Sequence, residues 1–213
     1  MKVSLISYSQ GQSIYLQELI AFAARVSNPS NQNNKQTSEK LLKYLIKHKH
    51  WSPFEMVSAC LEIETTRDIA RQILRHRSFS FQEFSQRYAD PTSDLDFSLR
   101  EARLQDTKNR LNSIETDDKK LQSDFDTLQQ MVIEDAKAAY QWAISKGIAK
   151  EQARAVLPEG LTMSRMYMNG TLRSWIHYIE LRTANGTQKE HMEVAEACAT
   201  EITKIFPMLA DIK

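Results

Sequence analysis

Apolar and polar positions alternate over "VSLISY" (3–8), with Val3, Leu5 and Ser7 opposite Ser4, Ile6 and Tyr8, which predicts a first strand. Ser13 is placed to cap a helix in which Leu16, Leu19, Ile20 and Ala23 recur at helical spacing, until "NPSNQNN" breaks the chain after Ser27. A second helix from about Ser38 to Lys49 gathers Leu41, Leu42, Leu45 and Ile46 on one side. "VSACLEIET" (57–65) alternates Val57, Ala59, Leu61 and Ile63 with polar partners and predicts a strand with one wet face. "RDIARQILRHR" (67–77) predicts a helix, and periodicity then lapses from Asp90 to about Asp124, as in an exposed excursion carrying little chemistry. A long helix follows from about Leu121 to Lys146, stopped by Gly147, and "KEQARAVLP" predicts a short helix ended by Pro158. "LTMSRMYM" (161–168) predicts a strand closed by an Asn169-Gly170 turn. Thr171 opens "TLRSWIHYIELRT", with Leu172, Trp175, Ile176 and Ile179 inward and Arg173, His177 and Glu180 outward. A final helix, about 188–205, carries a stripe of Met192, Ala195, Ala199 and Ile202. The succession predicts an α+β fold, an antiparallel sheet flanked by helices, in a single domain over residues 1–213 with the variable excursion at about 90–125.

Composition narrows the function classes. At 213 residues and 41% apolar, the chain is long enough for one well-developed core. No 18-residue apolar run occurs and "MKVSLISYSQGQ" turns polar early, so neither a membrane span nor export is expected, and the expected location is cytoplasmic. Cys60 and Cys198 lack any CxxC or Cys/His spacing and read as buried thiols. The formal net charge of +1 gives no global attraction to nucleic acid. The arginines are nevertheless segregated. Arg67, Arg71, Arg75, Arg77 and Arg87 lie in 67–87, and Arg154, Arg165, Arg173 and Arg182 in 154–182, two stretches without lysine. Recognition of phosphate or a pyrimidine edge by two parallel donors favours guanidinium over ammonium.

The few glycines form neither GxGxxG nor GxxxxGK[ST], which argues against Rossmann and P-loop sites. His48 and His50 form an HxH without a nearby third ligand, so no metal site is expected. Neither cysteine has an adjacent base, and Ser85 has no clear one. What remains is an anion site built from side chains. On the expected helix 67–77, Arg71 and Arg75 lie four apart, and Gln72, Arg75 and His76 share a face. Beyond it Glu83, Ser85 and Arg87 alternate with Phe84 and Gln86, so that Glu83 and Arg87 can read a base, and Ser85 and Arg87 a phosphate. Phe79, Phe81, Phe84 and Tyr88 imply that this segment is packed. Two rival readings are a nucleic-acid module, opposed by the near-neutral charge, and a helical scaffold whose arginines make only ion pairs.

The run Arg75-His76-Arg77, seven residues and Ser85, continuing to Arg87-Tyr88, resembles the signature of flavin-dependent thymidylate synthases. "HWSPFE" (50–55), "RQILRHR" (71–77), "ARAVLP" (153–158) and "NGTLRSWIHYIELR" (169–182) resemble further segments of that family. The resemblance implies reductive methylation of deoxyuridine monophosphate (dUMP) to thymidylate (dTMP), with FAD as cofactor, NADPH as reductant and 5,10-methylenetetrahydrofolate as carbon donor. It implies flavin contacts from Ser52, Arg75, His76, Arg77 and Glu83, and from Thr171, Leu172, Arg173 and His177 on the helix that holds the adenine dinucleotide. It implies dUMP contacts from Gln72, Ile73, Leu74, Arg75, Glu83, Phe84, Ser85, Gln86, Arg87, Arg154 and Arg182, with Arg182 as the catalytic group that polarises the pyrimidine. It also implies a homotetramer with shared active sites and long helices at the assembly interface, with no metal, nucleic acid or membrane partner. Thr171 stands where the family often has Asn, and "TANGTQKEHMEVA" lacks its usual Ser/Glu-x-His-Ala run.

Overall fold

The computed structural model describes residues 1–11 and 15–211, so the expected cap Ser13 lies outside the described residues. In chain order the elements begin with β1 (Lys2–Tyr8), α1 (Leu16–Ala24), α2 (Ser38–Lys47), β2 (Ser58–Thr66), α3 (Arg67–Ile73) and β3 (Phe79–Glu83). They continue with α4 (Pro91–Asp94), β4 (Arg103–Gln105), β5 (Ser113–Glu115), α5 (Lys119–Ser145) and α6 (Lys150–Ala153). The last three are β6 (Met163–Thr171), α7 (Leu172–Arg182) and α8 (Lys189–Ile205). Four strands form one antiparallel sheet in the order β1-β2-β6-β3, so the α+β reading holds. No helix among the described residues is long and apolar enough to cross a membrane.

The alternation read in β2 is realised: Ala59, Leu61 and Ile63 are buried, and the intervening residues are half-buried. In β6, Met166 and Met168 face the same core while Arg165 and Tyr167 are exposed. Helices α3, α7 and α8 cover that face through Ile69 and Ile73, Trp175 and Ile176, and Val194 and Ile202. The Trp175 indole Nε1 donates to the Ala59 carbonyl at 3.0 Å, which ties α7 to the sheet and satisfies the one polar atom of a fully buried ring.

Several expectations are corrected. The helix expected over 67–77 ends at Ile73, and residues 74–78 turn into β3, so Gln72, Arg75 and His76 are not one continuous helix face. The extended segment expected through Arg87 ends at Glu83, and Tyr88 N–H and Ala89 N–H both donate to the Ser85 carbonyl, which closes a turn. Asn169 and Gly170 are not a turn but the end of β6, paired with Cys60 and Ala59 on one side and with Ser80 and Phe79 on the other. The bend comes at Thr171, whose side chain caps α7 by accepting from Ser174 N–H. On α8 the expected Ala195, Ala199 and Ile202 are buried, but His191, Val194 and Cys198 complete the stripe and Met192 is only half-buried. The excursion is tied to the body, because Arg100 donates to Asp68 at 2.6 Å and to the Gly160 carbonyl at 3.1 Å.

Candidate functional site

The end of α3 and the end of α7 meet in one place. Arg182 Nε donates to His76 Nε2 at 2.9 Å, joining the two lysine-free arginine segments. Accepting that bond requires His76 Nε2 to be unprotonated. The environment agrees: burial, and then the positive charge of Arg182, push His76 down to about 4. The His76 ring stands edge-on to Tyr178 at 4.8 Å, and Tyr178 is almost wholly buried.

A second layer lies beneath. The Tyr178 hydroxyl and His191 Nε2 are 3.1 Å apart, His191 Nδ1 and Gln72 Oε1 3.2 Å apart, and Gln72 Nε2 donates to Gln188 Oε1 at 2.8 Å. Gln188 Nε2 donates to Glu190 at 2.9 Å, and Arg103 and Arg100 hold that carboxylate at 2.5 and 3.4 Å. Burial first, then Arg182 and His76, push the fully buried His191 down to about 3. Unfolded histidine titrates near 6.5, so between that value and the depressed folded values the unfolded chain binds more protons. The contribution of both rings is therefore fully present above about pH 6.5 and is lost as pH falls toward 4 and 3. The urea midpoint at pH 5 is expected to lie below that at pH 7, and an equal or higher midpoint at pH 5 contradicts these assignments.

The arginines divide into two sets. Arg67 is buried and pairs with Glu83 at 3.7 Å and Glu159 at 3.3 Å, and Arg71 pairs with Glu83 at 3.1 Å. Arg165 pairs with Glu64 at 2.7 Å, Arg173 with Glu55 at 2.5 Å and Arg87 with Glu151 at 3.4 Å. Among the described residues no carboxylate pairs with Arg75, Arg77, Arg154 or Arg182. A guanidinium without a carboxylate partner keeps its forked donors available to an anion. These four match the donor set of a site for anionic ligands.

The other expected residues are placed as follows. Glu83 is mostly buried and also accepts from Ser164 Oγ at 2.8 Å, so it is an organiser of Arg67 and Arg71. Ile73 is fully buried, Leu74 packs on the core, and Phe84 N–H donates to the Arg165 carbonyl at 2.8 Å. Gln86 is buried and its Nε2 has no partner among the described residues, an orphaned donor next to Ser85 and Arg87. Ser52 is exposed at the start of a 3-10 turn (Ser52–Glu55) anchored by the buried Phe54, Leu172 is core, and His177 lies edge-on to Trp51 at 4.8 Å. Tyr178, Gln188 and His191 escaped the sequence reading. The signal for His191 was its place on the α8 stripe, where an imidazole among apolar residues needs polar partners.

Residues 4–208 match the family described as thymidylate synthase complementing protein. The chain belongs to that family. It is 53% identical over 194 residues to the probable flavin-dependent thymidylate synthase of Paramecium bursaria Chlorella virus 1, covering 91% of this chain and 88% of that protein. It is 49% identical over 200 residues to the flavin-dependent thymidylate synthase of Synechocystis, covering 94% and 90%. Among solved structures it resembles the UMP/dUMP methylase PolB of Streptomyces cacaoi bound with 5-Br dUMP, with TM-score 0.78 and 29% identity over 99% of this chain and 93% of that one. The same methylase bound with 5-Br UMP gives TM-score 0.83 and 26% identity, covering 99% and 92%.

Proposed function

We propose that this protein is a flavin-dependent thymidylate synthase that converts dUMP to dTMP, with 5,10-methylenetetrahydrofolate as carbon donor, FAD as cofactor and NADPH as reductant. The observation that carries the reading is the junction of Arg182 with His76, whose sequence neighbours Arg75 and Arg77 are exposed and have no carboxylate partner among the described residues. The family membership and the dUMP analogue bound to the Streptomyces cacaoi methylase support the same substrate class. In this reading Arg75 and Arg77 serve phosphate oxygens, and Arg154 and the orphaned Gln86 amide serve the nucleotide.

The donor set fits a flavin dinucleotide, because the exposed, ion-pair-free Arg75 and Arg77 supply the forked donors a pyrophosphate needs. When bound, the flavin supplies the hydride that completes the new methyl group. The chain's own part is electrostatic. With Nε committed to His76, Arg182 keeps its terminal nitrogens for the uracil edge, where negative charge develops at N3 and O2 as C5 becomes nucleophilic. Neutral His76 orients that guanidinium without competing for the negative charge. No thiolate is at hand: burial raises both the Cys60 and the Cys198 thiol. Among the described residues Ser85 Oγ accepts only from Arg87 N–H, at 3.4 Å, and has no base to activate it.

The assembly proposed is a cytoplasmic homotetramer of single catalytic domains with shared sites. The exposed Phe125, Leu128, Met131 and Trp142 of the 27-residue α5 support a helix that is covered on assembly. Thermal unfolding with and without dUMP tests the nucleotide site. A saturating ligand at a hundred times its Kd stabilises by about 2.7 kcal/mol, so a clear rise in melting temperature is expected. No rise with dUMP, together with salt-dependent binding of oligonucleotides, contradicts the reading and favours the nucleic-acid alternative.

A further inference from the structure

The hydrogen-bonded row beneath Arg182 has a direction, and its chemistry fixes it. Glu190 is held by Arg103 and Arg100 and stays ionised, its carboxyl being below the usual range, so it only accepts. Gln188 must then turn its amide nitrogen to Glu190 and its oxygen to Gln72. Gln72 in turn must present its nitrogen to Gln188 and its oxygen to His191. His191 Nδ1 must therefore carry the proton, Nε2 must accept, and the Tyr178 hydroxyl must donate. Reversing the Gln72 carboxamide alone would set oxygen against oxygen at Gln188 and N–H against N–H at His191. At His191, which is fully buried, water has no access to mend the N–H against N–H mismatch.

We infer that His191, with Tyr178, is a positioning residue: the row from Tyr178 to Glu190 holds the Gln72 carboxamide in one orientation and so selects uracil over cytosine nucleotides. This rests on the proposed reading that Gln72 faces the nucleotide. Uracil presents an acceptor at C4 and a donor at N3, and cytosine presents the reverse. A carboxamide free to turn over pairs with either base, whereas one held fixed leaves a polar group unpaired against the wrong one. His191 touches neither reacting atoms nor arginine. It hydrogen-bonds with Gln72 and with Tyr178, and its ring stands edge-on to His76 at 6.3 Å.

The test is calorimetric binding of dUMP and of deoxycytidine monophosphate to the flavin-loaded protein, alongside 15N NMR of ring-labelled histidine. The wild-type protein is expected to prefer dUMP. H191F, at unchanged flavin content, is expected to lose about tenfold of that preference, the effect of one buried partner left unpaired. H191N puts an amide N–H in place of Nδ1–H and is expected to stay within about threefold of the wild type. Y178F, which deletes only the hydroxyl and leaves His191 Nε2 without its donor, is expected to lose preference in the same direction, and it decides the matter if H191F does not fold. Unchanged preference in folded H191F, or in Y178F, overturns the inference. The NMR spectrum needs no nucleotide: an Nδ1-protonated His191 is expected, and an Nε2-protonated ring overturns the row's direction even if the functional reading stands. Binding of neither nucleotide by the wild type overturns the selectivity together with that reading, while the tautomer still reports on the row.

Discussion

Replacing Arg182 by lysine is expected to lower the rate of dTMP formation roughly a hundredfold or more, the scale of removing one positioned donor from developing negative charge. Dissociation constants for dUMP and flavin should change far less. Lysine keeps the positive charge and has a single nitrogen in place of a planar fork. That nitrogen cannot donate to His76 as Arg182 Nε does and at the same time occupy the uracil edge. Whichever it serves, the other is left without its partner. Single-turnover formation of dTMP, set beside equilibrium binding of dUMP, separates lost catalysis from lost binding. Wild-type turnover in R182K removes Arg182 from the chemistry. A loss confined to dUMP affinity makes it a binding residue only.

Placing a single methyl group on Gly170 is expected to destabilise the fold by about 3 kcal/mol, the upper part of the range for overpacked cores. A Cβ there would lie 2.3 Å from Phe79 Cδ1 and 2.5 Å from Cε1. The Phe79 ring has little room to retreat, because it packs against Trp175 at 4.8 Å and Tyr178 at 5.9 Å. Pushing that ring also presses on the side chain that orients His191, so G170A should weaken nucleotide binding as well. Urea unfolding at fixed protein concentration measures the first effect. An unchanged midpoint would mean that the sheet accommodates the methyl group.

Gly170 also shows where sequence reading stops. Asn-Gly is a strong turn signal, yet here the glycine is needed for a close approach of ring to backbone between two sheet neighbours. That approach depends on Phe79, 91 positions earlier, which no local pattern encodes. Periodicity succeeded where one face of an element meets the core: the buried alternation of β2, and Leu172, Trp175, Ile176 and Ile179 on α7. It failed just beyond α3, where the chain turns at residues 74–78 and no apolar repeat marks the turn. The donors of the site were legible as residue types, since nine arginines in two lysine-free stretches stand out in any reading. Which of them are spent on carboxylates was not, because partners such as Arg67 and Glu159, or Arg173 and Glu55, are brought together only by the fold. The row under the site was the least legible part. His191 and Gln72 are 119 positions apart, and although Gln72 stands out beside Arg75 and His76, nothing local pairs it with His191.

The convergence of guanidinium groups from two distant segments on a flavin and a uridylate, with thymidylate made there, is open to measurement. Its most direct test is anaerobic. The purified protein, loaded with FAD and reduced by NADPH, is mixed with dUMP and methylenetetrahydrofolate while the flavin absorbance is followed and the nucleotide is analysed. The expected result is a yellow protein that bleaches on reduction, recovers its colour after mixing and yields one dTMP for each flavin reoxidised. A protein that takes up no FAD, or whose reduced flavin is stable in the presence of both substrates with no dTMP formed, contradicts it.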